Sequence, residues 1–90
     1  MVDEALQQKM LQRHRLFLDI RRAMRGEATV TVPLPRSKTS GRVLGLNADH
    51  YAFLLKPDKG RTACIRITED GEFRRVKAGN VEDYLSLIHI

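Results

Sequence analysis

Gly41-Arg42-Val43-Leu44-Gly45-Leu46-Asn47-Ala48-Asp49-His50-Tyr51-Ala52-Phe53-Leu54-Leu55 is the stretch on which the fold turns. It opens on a glycine and runs into an apolar strand over 42–46. Asn47, Ala48, Asp49 and His50 form a short polar turn, and a strongly apolar strand over 51–56 follows. A connection this short leaves no room for a crossover, so the two strands pair antiparallel.

The same grammar continues downstream. Pro57-Asp58-Lys59-Gly60 has turn chemistry. A strand over 61–68 alternates through Cys64, Ile65, Arg66 and Ile67. Glu69-Asp70-Gly71 closes a hairpin onto a strand over 72–77, with Gly71 supplying the positive φ of a tight loop. Ala78-Gly79-Asn80 is another short turn, and 81–88 reads as the last strand. Upstream, Val30, Val32 and Leu34 share one face of a strand. Pro33 within it cannot donate to a ladder, so this strand lies at an edge or ends there. Residues 35–41 read as a polar turn.

Before Gly26 the period is helical. Leu6, Met10, Phe17, Ile20 and Met24 recur at steps of three, four or seven over 3–25, and Leu11, Leu16 and Leu18 widen the stripe. Asp3 and Glu4 at the start and Arg21, Arg22 and Arg25 at the end complement the helix dipole. Gly26 is read as the left-handed residue that ends the helix. The expected architecture is therefore mainly β with one N-terminal α-helix: a single domain over 1–90, with the helix at 3–25 and a small five- to six-stranded antiparallel barrel at 27–89.

The 90 residues are 42% hydrophobic and 30% charged, as in an ordinary globular domain, with a net charge of +5 that favours polyanionic partners. A chain this short gains from self-association. Cys64 is the only cysteine, so no internal disulfide forms, which suits a reducing cytoplasm. No apolar run approaches a membrane span, and the N-terminus lacks a secretory pattern. His14, His50 and His89 have no metal-ligand spacing, no glycine loop cradles a phosphate, and no nucleophile is set beside a base. No enzyme activity, metal or cofactor is expected.

The helix-then-barrel order, the stretch at 41–55 and a second motif, Val76-Lys77-Ala78-Gly79-Asn80-Val81, together resemble the paired motifs of the Sm/LSm (Hfq-like) RNA-binding family. Gly41 matches that family's motif glycine, and Val43, Leu46 and Leu54 its apolar positions. Val76, Lys77 and Val81 fit the second motif, with Gly79 and Asn80 one step from the usual positions. Two registers are open at the turn. Without a gap, Asn47 takes the acidic position, His50 the methionine and Tyr51 the RNA-contacting asparagine. With a two-residue insertion, Asp49 takes the acidic position, Tyr51 the stacking position and Phe53 the asparagine. Neither keeps the family's Met-Asn pair.

The resemblance implies a homo-oligomeric ring that binds single-stranded RNA, with DNA as the alternative strand, acting as an RNA chaperone or processing factor. Asn47, Asp49, His50, Tyr51, Lys77, Gly79 and Asn80 would line the base-binding turns. Tyr51 and His50 supply planar groups for stacking, the amides and Asp49 reach base edges, and Lys77 follows phosphate. Arg13, Arg21, Arg22 and Arg25 on the helix, with Arg74 and Arg75 beside Lys77, form a second basic surface. A different reading of the same strands is an SH3-like barrel that serves as a protein-interaction or structural assembly subunit, its amphipathic helix meeting the partner. A DNA-binding SH3-like module is a third.

Overall fold

The computed structural model describes residues 3–77. The helix α1 spans Glu4–Arg25, and the strands β1 (Thr29–Pro33), β2 (Lys38–Asn47), β3 (Ala52–Pro57), β4 (Ala63–Ile67) and β5 (Phe73–Arg75) follow. They form one antiparallel sheet in the order β1-β2-β3-β4-β5, curled into a half-barrel. The expected last strand at 81–88 lies outside the described residues.

Helix α1 begins where the sequence supplies a cap. Asp3 Oδ1 accepts from the amides of Ala5 and Leu6 and satisfies two of the otherwise orphaned donors. The other end differs from expectation. Gly26 has φ −84°, and it is Glu27 that takes the left-handed conformation at φ 53°. The chain reverses one residue later because the amides of Gly26, Glu27 and Ala28 all bond back into the last turn. A side chain at positive φ is strained by about 1–2 kcal/mol, and the exposed ion pair of Glu27 with Arg42, 3.8 Å apart, offsets little of it. Glu27→Gly is therefore expected to raise stability by about 0.5–1 kcal/mol, read as a higher urea midpoint with an unchanged slope. A lower midpoint would show that the Arg42 pair outweighs the strain.

Two features curl the sheet, both in β2. The first is Gly41, which pairs with Val30 on one side and Pro57 on the other. A Cβ built there would lie 2.2 Å from the Lys56 carbonyl oxygen, so only glycine permits this approach of β2 to β3. The second is a bulge. The register steps from Val43↔Leu55 to Gly45↔Leu54, leaving Leu44 unpaired and 39% exposed. The bulge bends the strand and reverses side-chain parity, so that Val43 and Leu46, three residues apart, both enter the core. Strand β2 also starts earlier than the sequence suggests. Lys38, Thr39 and Ser40, read as turn, pair with Pro33, Val32 and Thr31. Edge strand β1 ends at Pro33, where the missing donor faces no ladder.

Phe17 and Ile20 of α1 close the core over Val32, Val43, Leu46, Phe53, Leu55, Ile65 and Ile67. In the first turns of α1, which lie beside the Glu69-Asp70 turn, Leu6, Met10 and Leu11 stay exposed. The curl brings the sheet's two margins toward each other. Arg75 reaches Thr39 Oγ1 of β2 at 3.5 Å, and Pro33 to Pro35 face Phe73 and Arg74 across an open gap of about 430 Å³ under Gln12 and Leu16.

Candidate nucleic-acid interface

Strand β4 turns Ile65 and Ile67 into the core and Arg66 outward, as period-two alternation requires. The hairpin at Glu69-Asp70-Gly71 forms as expected, with Gly71 at φ 79° and its amide bonded to the Thr68 carbonyl. It returns the chain so that Arg74 lies directly opposite Arg66. Like charges in register across a strand pair repel. Arg66, Arg74, Arg75 and Lys77 line one open cleft of about 690 Å³, and Arg13 of α1 joins them from above. The acids around it are largely committed: Asp70 meets Lys9 at 3.2 Å, and Glu72 pairs with Arg74. Glu69 lines the cleft without an ion pair among the described residues.

Arg13 was read as part of an exposed basic surface, and it has a second role. Its Nε donates to the Ile67 carbonyl at 2.9 Å, and its guanidinium lies 4.2 Å from the Tyr51 ring centroid. Tyr51 also accepts the Ile67 amide on its own carbonyl at 2.9 Å. Arg13 thus ties the helix to the β2–β3 turn and the end of β4 while remaining at the cleft wall. The planar guanidinium suits this, because it can stack and donate at once.

The turn residues separate into different roles. Asn47 is fully buried, and its Oδ1 accepts from the amides of Asp49 and His50, so it holds the turn rather than presenting its amide to solvent. Asp49 and His50 carry exposed side chains. Tyr51 sits at the left-handed φ of 51° and is half-buried, with its ring edge-on to Phe17 at 5.4 Å and covered on one face by Arg13. A base stacking on that face has to displace the guanidinium or take its place. Phe53 and Asn47 are both fully buried, so each of the two registers loses one of its turn positions as a base contact.

Among the basic residues, Arg74, Arg75 and Lys77 converge on the cleft with Arg66, which sequence reasoning missed. Arg21, Arg22 and Arg25 lie elsewhere, on the exposed side of the last helical turns, and Arg22 is 4.0 Å from Asp19. Gly79 and Asn80 lie outside the described residues. Cys64 is buried in β4, which pushes its thiol up from the ordinary value and disfavours the thiolate. Among the described residues no group of His, Cys, Asp or Glu has metal-binding geometry, and no helix is long and apolar enough to cross a membrane. Searches against family models, curated proteins and solved structures found no match to this chain.

Proposed function

We propose that this protein binds single-stranded RNA along the β4–β5 cleft and does so as a homo-oligomeric, Sm-like ring. The observation that carries the reading is the register pair Arg66↔Arg74, with Lys77, Arg75 and Arg13 around the same opening. Arg74 is paired with Glu72, but Arg66 opposite it has no ion pair among the described residues, so the two guanidinium groups leave a net positive charge that a phosphate chain would neutralise. Arg13, which lines the cleft, also lies over the Tyr51 ring and so links a flat group to these cations. One protomer offers too few contacts for useful affinity, and a closed ring repeats them along one strand. Edge strand β5, which pairs only with β4 among the described residues, offers a margin for a neighbouring copy.

The test is fluorescence anisotropy with oligo-U and oligo-A between about 50 and 200 mM salt. Arg66→Ala with Arg74→Ala is expected to weaken binding by about tenfold or more and to flatten the salt dependence by about one phosphate contact per cation removed. Arg22→Ala should change neither. Unchanged affinity in the double variant removes the cleft from consideration. Native mass spectrometry decides the assembly: a closed set of several copies supports the ring, and a monomer favours the protein-contact reading of a lone SH3-like barrel.

A further inference from the structure

The helix meets the sheet along a second groove, lined by Tyr51 but not by Arg13. Helix α1 packs Phe17 and Ile20 into the core, and the β2–β3 turn leans on it through the Phe17–Tyr51 contact. Between them remains an open groove of about 540 Å³. Its floor is apolar, made by Leu18, Met24, Leu46 and Tyr51; Leu18, Met24 and Tyr51 are only half-buried. Its rim is basic, with His14, Arg21 and Arg25 strung along the helix. Neither Arg21 nor Arg25 has an ion pair among the described residues, whereas the neighbouring Arg22 faces Asp19. Among the described residues no carboxylate lines the groove.

We propose that this groove docks an acidic, amphipathic peptide segment of a protein partner, with its apolar side chains on the floor and its carboxylates on Arg21 and Arg25. Apolar surface of this size and shape accepts a row of side chains. The spread of the cations selects the ligand class. From Arg21 to Arg25 the helix rises by about 6 Å, one turn, and the polar rim continues back to His14. A single carboxylate head engages one end of such a row, whereas a peptide with acids at helical or extended spacing engages it along its length. Charge complementarity then sets the on-rate and the orientation, and the floor supplies the desolvated contact. The groove shares Tyr51 with the RNA reading, but its cations are other residues.

The test uses the full chain and three fluorescent synthetic helix-forming peptides. All carry Leu and Phe on one face, with Glu, Gln or Lys on the other. The Glu peptide is expected to bind, the Gln peptide about fivefold more weakly, and the Lys peptide not at all. The double variant Arg21→Glu with Arg25→Glu should lose the Glu peptide by about tenfold or more and gain the Lys peptide. Arg66→Ala with Arg74→Ala, which removes cations of the RNA cleft, should keep its Glu-peptide affinity, which separates failure here from failure of the RNA reading. Equal binding of the Glu and Gln peptides, or indifference to the charge reversal, overturns the proposal. So does binding of phosphatidylglycerol vesicles without binding of the Glu peptide, which would give the rim to a membrane surface. Self-association lost in the double variant, again without peptide binding, would give the groove to a second copy.

Discussion

Gly41→Ala is expected to lower the melting temperature by about 12–24 °C, the equivalent of about 3 kcal/mol in a domain of this size. The methyl group would meet the Lys56 carbonyl oxygen at 2.2 Å, Pro57 Cα at 2.6 Å and Lys56 C at 2.7 Å. All three are backbone atoms of β3, so no rotamer change relieves the clash. The two strands must separate locally, and β2 is held on its other side by β1. Separation breaks the pairing at the tightest point of the curl, next to Val43 and Leu55 in the core. Total stability for a chain of this length is about 5–13 kcal/mol, so such a loss is a large fraction of it. Gly26→Ala is the control. Gly26 has ordinary negative φ, and a Cβ there would lie 3.5 Å from the nearest atom, so that change should be neutral or slightly stabilising. A Gly41→Ala protein that melts within a few degrees of the parent would mean that β2 and β3 can part without loss, and the account of the curl would fail.

The order of elements was legible because it rests on local pattern: a 3.6-residue period that stops at Gly26, then alternation punctuated by turn residues. The curl was only partly legible. Gly41 stood out, but a strand glycine does not announce what approaches it. The Leu44 bulge had a trace in the sequence, since Val43 and Leu46 have opposite parity and both are apolar, yet parity alone cannot say which residue is squeezed out. The helix end at Arg25 was readable, but the left-handed residue was misplaced by one, because glycine's preference for positive φ is a tendency and the three amide bonds that fix the reversal are a property of the folded turn. The cleft divides in the same way. Arg74, Arg75 and Lys77 are neighbours in sequence, so their convergence was readable. Arg66 and Arg13 come from β4 and α1, and only the pairing register and the helix docking bring them in. Asn47 was read for its amide chemistry, which the fold spends on two backbone donors of its own turn.

Phe53→Ala is expected to remove about 3–5 kcal/mol, enough to leave much of the population unfolded near physiological temperature, and to weaken the cleft before the rest of the sheet. Phe53 is fully buried at the centre of β3, and truncating it opens a cavity in the core shared by α1, β2 and β4. Its ring also stands edge-on to Phe73 at 6.1 Å. Phe73 is the apolar anchor of β5, a strand of three residues that carries Arg74 and Arg75. With that anchor loosened, β5 retains its short ladder to β4 and the exposed Arg75–Thr39 bond, and the placement of Arg74 opposite Arg66 weakens that ladder. Hydrogen exchange at 73–76 should therefore accelerate more than at 52–55, and oligo-U affinity should fall even at temperatures where the variant remains folded. Phe53→Leu, which keeps most of the volume, is expected to lose about 1–1.5 kcal/mol and to retain both the protection of β5 and the binding. Uniform acceleration across the sheet in Phe53→Ala would mean that β5 is fastened by contacts other than the Phe53–Phe73 pair, and that the cleft is as rigid as the core beneath it.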